Sequence, residues 1–241
     1  MPPATFIVAA APSFSNDPGS GHVVMTFLTP AATKPGDALI ILVPAASLAL
    51  GGIDPAKLGA GWTVIGTTAA ASGLALSIVR RVATDTEPPS HAVTVLDTPT
   101  TIAGALLVYR GLDNGAALIA VSAVDVGVNT SFPCPSRTLV AYSDLYLGIA
   151  FTSATGAAVF TAPAGTTERF NLTEVFTSTV QLQVFELLKE STGATGAQQT
   201  TAAASETGLA ASLLLATLPA QLAPSITPDI PGAIGFVTVG V

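Results

Sequence analysis

The amino-acid sequence predicts an all-β chain: an antiparallel β-sandwich, jelly-roll-like, with extended terminal arms. Helix signals are nearly missing, because 18 prolines, 22 glycines and many threonines leave few ten-residue stretches without a breaker or a β-branched residue. Short runs of alternating apolar and polar residues dominate instead. Turn signals separate most of these runs at the spacing of an antiparallel sandwich.

The elements follow in order. Runs 5–10 (TFIVAA) and 22–28 (HVVMTFL) are β-branched and apolar, and SNDPGSG precedes the second. After the turn KPGD (34–37) comes strand 38–44. Its stretch Ala38–Val43 is apolar on both faces, the pattern of a central strand covered on both sides or by a neighbouring subunit. Strand 62–68 opens after Gly61, and in 73–83 Leu74, Leu76, Ile78 and Val82 share a face. DTEPPS (85–90) turns the chain into 91–96, and 102–110 is again apolar on both faces over Ile102–Tyr109. GLDNG (111–115) leads to 117–124, and in 144–152 Leu145, Leu147, Ile149 and Phe151 line up. APAG (162–165) precedes 166–172. In 178–188, Val180, Leu182 and Val184 point one way, Gln181 and Gln183 the other. Strands 197–203, 208–217 and 233–239 complete the set, and Asp54–Leu58 is a single helical turn with Pro55 at its first position. So many strands exceed an immunoglobulin-like arrangement, hence the jelly-roll expectation. No period of 20 to 50 residues repeats, which excludes a solenoid.

Three regions are expected: 1–35, an N-terminal arm with the first strands; 36–217, the sandwich; and 218–241, a proline-rich C-terminal arm ending in a strand. Prolines 219, 224, 228 and 231 favour extended polyproline geometry. The run AIGFVTVGV then places Ile234, Phe236, Val237 and Val239 as an assembly strand, either added to a neighbour or folded back on its own sandwich.

Composition excludes several function classes. Charged residues make up 10% of the 241, against about 25% in an ordinary soluble domain. A net charge of −7 lacks the basic footprint of a nucleic-acid binder, and 49% apolar content is unlike a disordered chain. Mean hydropathy is +0.63, yet the best apolar run, Ala38–Leu50, is broken by Pro44 and falls short of the ~20 residues of a spanning helix. No membrane partner is expected. The N-terminus has no Lys or Arg before its apolar run and makes a poor signal peptide. One cysteine, Cys134, allows no internal disulfide.

The chemistry-bearing residues point away from catalysis, and no catalytic, cofactor or metal residues are assigned. The chain has two histidines and no G-x-S-x-G elbow. His91 reads as a strand-end histidine on the face of Val93 and Val95, and His22 as a solvated turn residue. Cys134, between two prolines, lacks the cationic surroundings of a reactive thiol. Zinc wants clustered Cys and His, and calcium several carboxylates in one loop. Asp113 with Asn114 is the closest approach and is first of all a turn signal. Glu168, Glu174, Glu186 and Glu190 read as solvated faces. Arg80 and Arg81, adjacent in a strand, point to opposite faces. Arg80 falls on the apolar face and needs a partner, with Asp85, Glu87 and Asp113 as candidates for a structural brace. Trp62 reads as a core anchor, and Phe132, Tyr142 and Phe176 as the loop-like aromatics open to a glycan.

Six segments together carry a resemblance: GDALIILVPA (36–45), GWTVIGTT (61–68), LSIVRRVATDTEPPSH (76–91), AGALLVYRGLD (103–113), DLYLGIAFTS (144–153) and TAPAGTTERFNL (161–172). Their order resembles a family of β-sandwich virion proteins of tailed bacteriophages, minor tail or capsid-decoration in type, over about residues 36–217. The resemblance implies a non-enzymatic structural protein of a phage particle, located in the virion, with no cofactor. Its expected partners are other virion proteins and copies of itself, a trimer suiting a spike or decoration. The alternative is a carbohydrate-binding adhesion module that contacts host cell-surface glycans.

Overall fold

A computed structural model of the chain describes residues 4–17, 22–46, 52–69, 73–96, 101–114, 120–139, 144–153, 159–175, 179–187 and 192–217. Among these the protein is all-β apart from one 3-10 turn, Pro55–Lys57, which Asp54 caps by accepting from the Ala56 amide at 3.0 Å. The strands are Thr5–Ala10 (β1), Pro12–Asp17 (β2), His22–Leu28 (β3), Ala38–Ala46 (β4), Thr63–Ala69 (β5), Leu74–Val82 (β6), Ser90–Val95 (β7), Thr101–Ile102 (β8) and Ala105–Arg110 (β9). Ala120–Cys134 (β10), Thr138–Leu139 (β11), Leu145–Ser153 (β12), Phe160–Thr161 (β13), Thr167–Val175 (β14), Thr179–Leu187 (β15), Gly193–Ala194 (β16) and Gln198–Leu215 (β17) follow.

Two antiparallel sheets face each other. Sheet I runs β1-β9-β4-β6-β5 with β8 on β4, and sheet II runs β10-β17-β12-β15-β14 with β13 on β17. The core between them takes Ile40, Leu42, Leu76, Ile78 and Leu107 from one side and Leu147, Ile149, Leu182, Val184 and Leu213 from the other. The small sheet β2-β3-β7 covers the outer face of sheet I, seating Met25, Phe27, Val93 and Val95 against Leu39, Ile41, Leu106 and Val108. That double coverage is why β4 and β9 are apolar on both faces. A third cluster around Phe132, Tyr146, Phe160 and Phe185 covers the outer face of sheet II.

Some expectations hold and others change. The first strands, 5–10 and 22–28, stand where expected, and the structure adds where they go: β1 is hydrogen-bonded into sheet I beside β9, and β2 and β3 build the cover. The β2 segment (PSFSND) escapes strand reading because proline opens it and Ser, Asn and Asp fill it. Runs 197–203 and 208–217 merge in one long strand, β17 (Gln198–Leu215), and the described part of 117–124 opens a β10 that continues to Cys134. Register shifts at Asp125/Gly127 and Asn129/Ser131 bend this β10–β17 ribbon. Gly127 takes the left-handed φ of 59° that the first shift needs. Gln181 and Gln183 do point away from Val180 and Leu182, but both are buried, Gln181 donating to Asn171 and Gln183 donating to Glu168 and accepting from Thr200 of the ribbon. The C-terminal arm, with Ile234, Phe236, Val237 and Val239, lies outside the described residues.

The strand order is not that of one jelly roll spanning the chain. Sheet I is drawn wholly from residues 5–110 and sheet II from 120–215. Numbered by chain order within its own half, each sheet reads first-fifth-second-fourth-third.

Candidate functional site

The side chains with chemistry gather where strands meet turns. Asp37 ends the KPGD turn, and its carboxylate accepts the Lys34 amide at 2.8 Å, closing the turn. Burial of this carboxylate (1% exposed) demands a cation, and Arg110 supplies one in a fork: Nε donates to Oδ1 at 2.8 Å and Nη2 to Oδ2 at 2.7 Å. Arg110 remains half-exposed, and its hydrogen bonds to Asp37 hold its guanidinium pKa above the ordinary value.

Beside this fork, Arg80 donates through Nη2 to the Asp113 carbonyl (3.0 Å) and to Asn114 Oδ1 (2.6 Å), while Asn114 Nδ2 donates to the Gly36 carbonyl (2.8 Å). Burial lowers the Arg80 pKa, and the Asp113 charge opposes that. The expected brace therefore joins Arg80 to Asp113. Glu87 belongs to a different brace, and Asp85 is exposed on its turn with no bond or ion pair among the described residues.

That second brace lies on the other face of β6. Glu87 Oε1 pairs with Arg81 Nε at 3.0 Å and with His91 Nε2 at 3.2 Å. Glu87 Oε2 accepts from the Thr84 amide at 2.7 Å, fixing the DTEPPS turn. Arg81 also donates to the Ala60 carbonyl, and Trp62, half-buried, stands edge-on to His91 with centroids 5.1 Å apart. His91 is buried. Its pKa is lowered, first by burial and then by Arg81, with Glu87 pulling the other way. Trp62 packs against the core between sheet I and its cover.

A third group crosses between the two sheets. Arg169 pairs with Glu186, Tyr109 Oη donates to Glu186 Oε2 at 3.3 Å, and the Arg169 guanidinium lies over the Phe6 ring at 4.8 Å. Glu186, expected on a solvated face, is buried because it sits on the inner face of β15 at the sandwich edge. Burial, and then the Glu186 charge, raise the Tyr109 pKa well above its usual value. Sequence reading missed Asp37, Arg110, Tyr109, Arg169 and Glu186 as partners. The one signal for Asp37 is a carboxylate placed directly before six apolar residues.

The expected glycan aromatics fare differently. Phe132 is fully buried: its ring fills the space over Gly208, where a Cβ would overlap it, and meets Phe160 edge-on at 5.1 Å. It offers no face to a sugar. Tyr142 and Phe176 lie outside the described residues. Cys134 is buried, which pushes its thiol pKa up to about 12. Among the described residues no group of three or more His, Cys, Asp or Glu could hold a metal ion, and no helix is long and apolar enough to cross a membrane.

Models of protein families, curated proteins and solved structures show no match to this chain. The resemblance to phage sandwich proteins gains no support from them and stands as an expectation. What the geometry provides is three fold-holding braces, at Asp37–Arg110 with Arg80–Asp113, at Arg81–Glu87–His91 and at Arg169–Glu186–Tyr109. None pairs a nucleophile with an exposed base.

Proposed function

We propose that this protein is a non-enzymatic structural component of a tailed-phage particle, held on the capsid or tail through its terminal segments. The observation that supports the reading is where its signature residues go. Asp37 and Arg110, Arg81 and Glu87, and Arg169 all stand in the segments that carry the resemblance, and each is engaged in bracing the sandwich. The shared pattern is thus accounted for by a rigid body, with recognition left to the extremities. A surface so poor in charge suits close packing against copies of itself and other virion proteins. The glycan-binding alternative is weaker, since the one expected aromatic among the described residues is buried.

The test is the solution mass of the full chain against one ending at Thr217, together with gold-labelled antibody on purified particles. Assembly of the full chain alone, with label on capsid or tail, supports the proposal. Two compact monomers and unlabelled particles would overturn it.

A further inference from the structure

The two halves of the chain share a plan at the level of single residues. In sheet I, Leu42 pairs with Ile78 on one side and Ala105 on the other; in sheet II, Ile149 pairs with Val184 and Ala211. All six face the common core. A bulge follows in the next strand of each sheet, between Val64 and Gly66 opposite Val79/Ile78, and between Glu168 and Phe170 opposite Phe185/Val184. A turn leads into each bulged strand, closed by Trp62 N–H to Gly59 at 3.3 Å and by Thr166 N–H to Pro163 at 3.2 Å, with Gly61 and Gly165 at φ of 83° and 79°. Each half also pairs the strand just before its second main strand with the strand just after its fourth, β3 with β7 and β11 with β16. Asp37 and Asp144, both buried, precede the two equivalent central strands.

The halves meet with the symmetry of a dimer. The edge strand β1 lies against β14, and its counterpart β10 lies against β5, the counterpart of β14. The common core takes eleven buried residues from each half among the described residues. Among the described residues the sheet ladders stay within their own half, and beyond them one bridge, Leu112 to Thr217, crosses. This is an isologous interface, the form that pairs identical subunits, with both partners supplied by one chain.

We propose that this face is exchangeable: the first half of one chain seats on the second half of another copy, joining chains through the same core. Only the pairing of unlike halves sets Tyr109 against Glu186. First half on first half would put Arg80, the register equivalent of Glu186, in that place; second on second would put Leu215 opposite Glu186 instead of Tyr109. A short tether holds its two ends at an effective concentration of about 1 mM, so the internal pairing dominates in dilute solution and exchange competes as protein concentration approaches that value.

The Thr101 hydroxyl, in the first half, donates to Ser153 Oγ, in the second, at 3.1 Å, which gives a probe of the interface. Thr101→Cys and Ser153→Cys are made separately in full chains carrying Cys134→Ala, unfolded, mixed and refolded at ~1 μM and ~1 mM. The doubly substituted single chain reports that the pair closes internally. The expected result is a disulfide-linked dimer of the two different chains at the higher concentration only, in excess of any dimer formed by Thr101→Cys chains alone. Wild-type chain refolded at the higher concentration should likewise give a species of twice the chain mass by light scattering. Wild-type monomer at every concentration overturns the proposal. So does a dimer that lacks the Thr101–Ser153 cross-link, which would be association through another surface.

Discussion

Asp37 and Arg110 are locked in a two-pronged ion pair that ties the turn before one central strand to the end of its neighbour, with the carboxylate buried and the guanidinium half in water. The two ends of this pair are therefore not equivalent. Asp37→Ala removes the fork and the acceptor that closes the turn at Lys34, and should cost about 1.5–3 kcal/mol, the range for hydrogen bonds to a charged group. Arg110→Ala leaves the buried carboxylate without its cation and should cost more, about 3–5 kcal/mol. Urea midpoints of the two variants at unchanged m-value check the order; equal losses would mean that water reaches the carboxylate once the guanidinium is gone.

Packing on the outer face of sheet II predicts a second asymmetry. Gly208 and Gly148 lie beneath the rings of Phe132 and Phe185, and a Cβ at either would overlap a ring. Gly208→Ala should destabilise by about 1–3 kcal/mol, as overpacking does. Combined with Phe132→Leu, which vacates ring atoms, the cost of the added methyl should fall. A double-mutant cycle reads this as a favourable coupling energy, and strict additivity would show that the backbone shifts instead.

How much of this was legible beforehand depends on the range of the interaction. Strand 38–44 and its double coverage follow from its own residues, as do the single turn at Pro55 and the alternation at Leu145–Phe151. Partner choices did not follow. The sequence leaves Asp85, Glu87 and Asp113 open as partners of Arg80, and the structure decides among them by sending Arg81 to Glu87 and Arg80 across to the Asp113 carbonyl. Phe132 looked loop-like between a polar turn and two prolines. It is buried because a bulged ribbon folds it over sheet II, a long-range event with no local signature. The common plan of the two halves stayed hidden for a related reason. It rests on shared register, one shared bulge and the left-handed Gly61 and Gly165, with different side chains around them, so it emerges only once the pairings are known.

Acid should weaken the fold through His91. Its folded pKa lies below the usual histidine value of about 6.5. The folded state therefore binds fewer protons than the unfolded chain in that window, and stability rises with pH through it. The contribution is complete above about 6.5 and is lost as pH falls through the lowered folded value. His91→Gln removes the titrating group, so the stability of wild type relative to this variant should decline between pH 7 and 5. A difference that stays flat would show that Glu87 compensates the burial cost in full.

Alkali should act through the tyrosines in the opposite direction. Tyr109 and Tyr146 both have pKa values raised by burial. Each keeps its proton in the folded state above pH 10, where the unfolded chain loses it, so stability falls as pH climbs beyond about 10. Absorbance of tyrosinate should show at least two of the three tyrosines un-ionised until the sheet signal in circular dichroism is lost. Tyr109→Phe should leave one slow tyrosine in place of two. Ionisation of all three ahead of unfolding would mean that the Tyr109–Glu186 contact across the halves is open in solution.

Cys134 supplies a reporter for the second half alone. Its thiol is buried beneath the β10–β17 ribbon, hydrogen-bonded to the Ile149 carbonyl at 3.5 Å, with a pKa pushed up to about 12. At neutral pH it is protonated and covered, so an aromatic disulfide reagent should react with it only through opening of the ribbon. The labelling rate should then track the free energy of that opening. Gly208→Ala, which strains the ribbon over the same cluster, should speed labelling more than Asp37→Ala, which loosens only sheet I. If both variants speed labelling in proportion to their loss of global stability, the two halves unfold as one cooperative unit and the ribbon has no opening of its own.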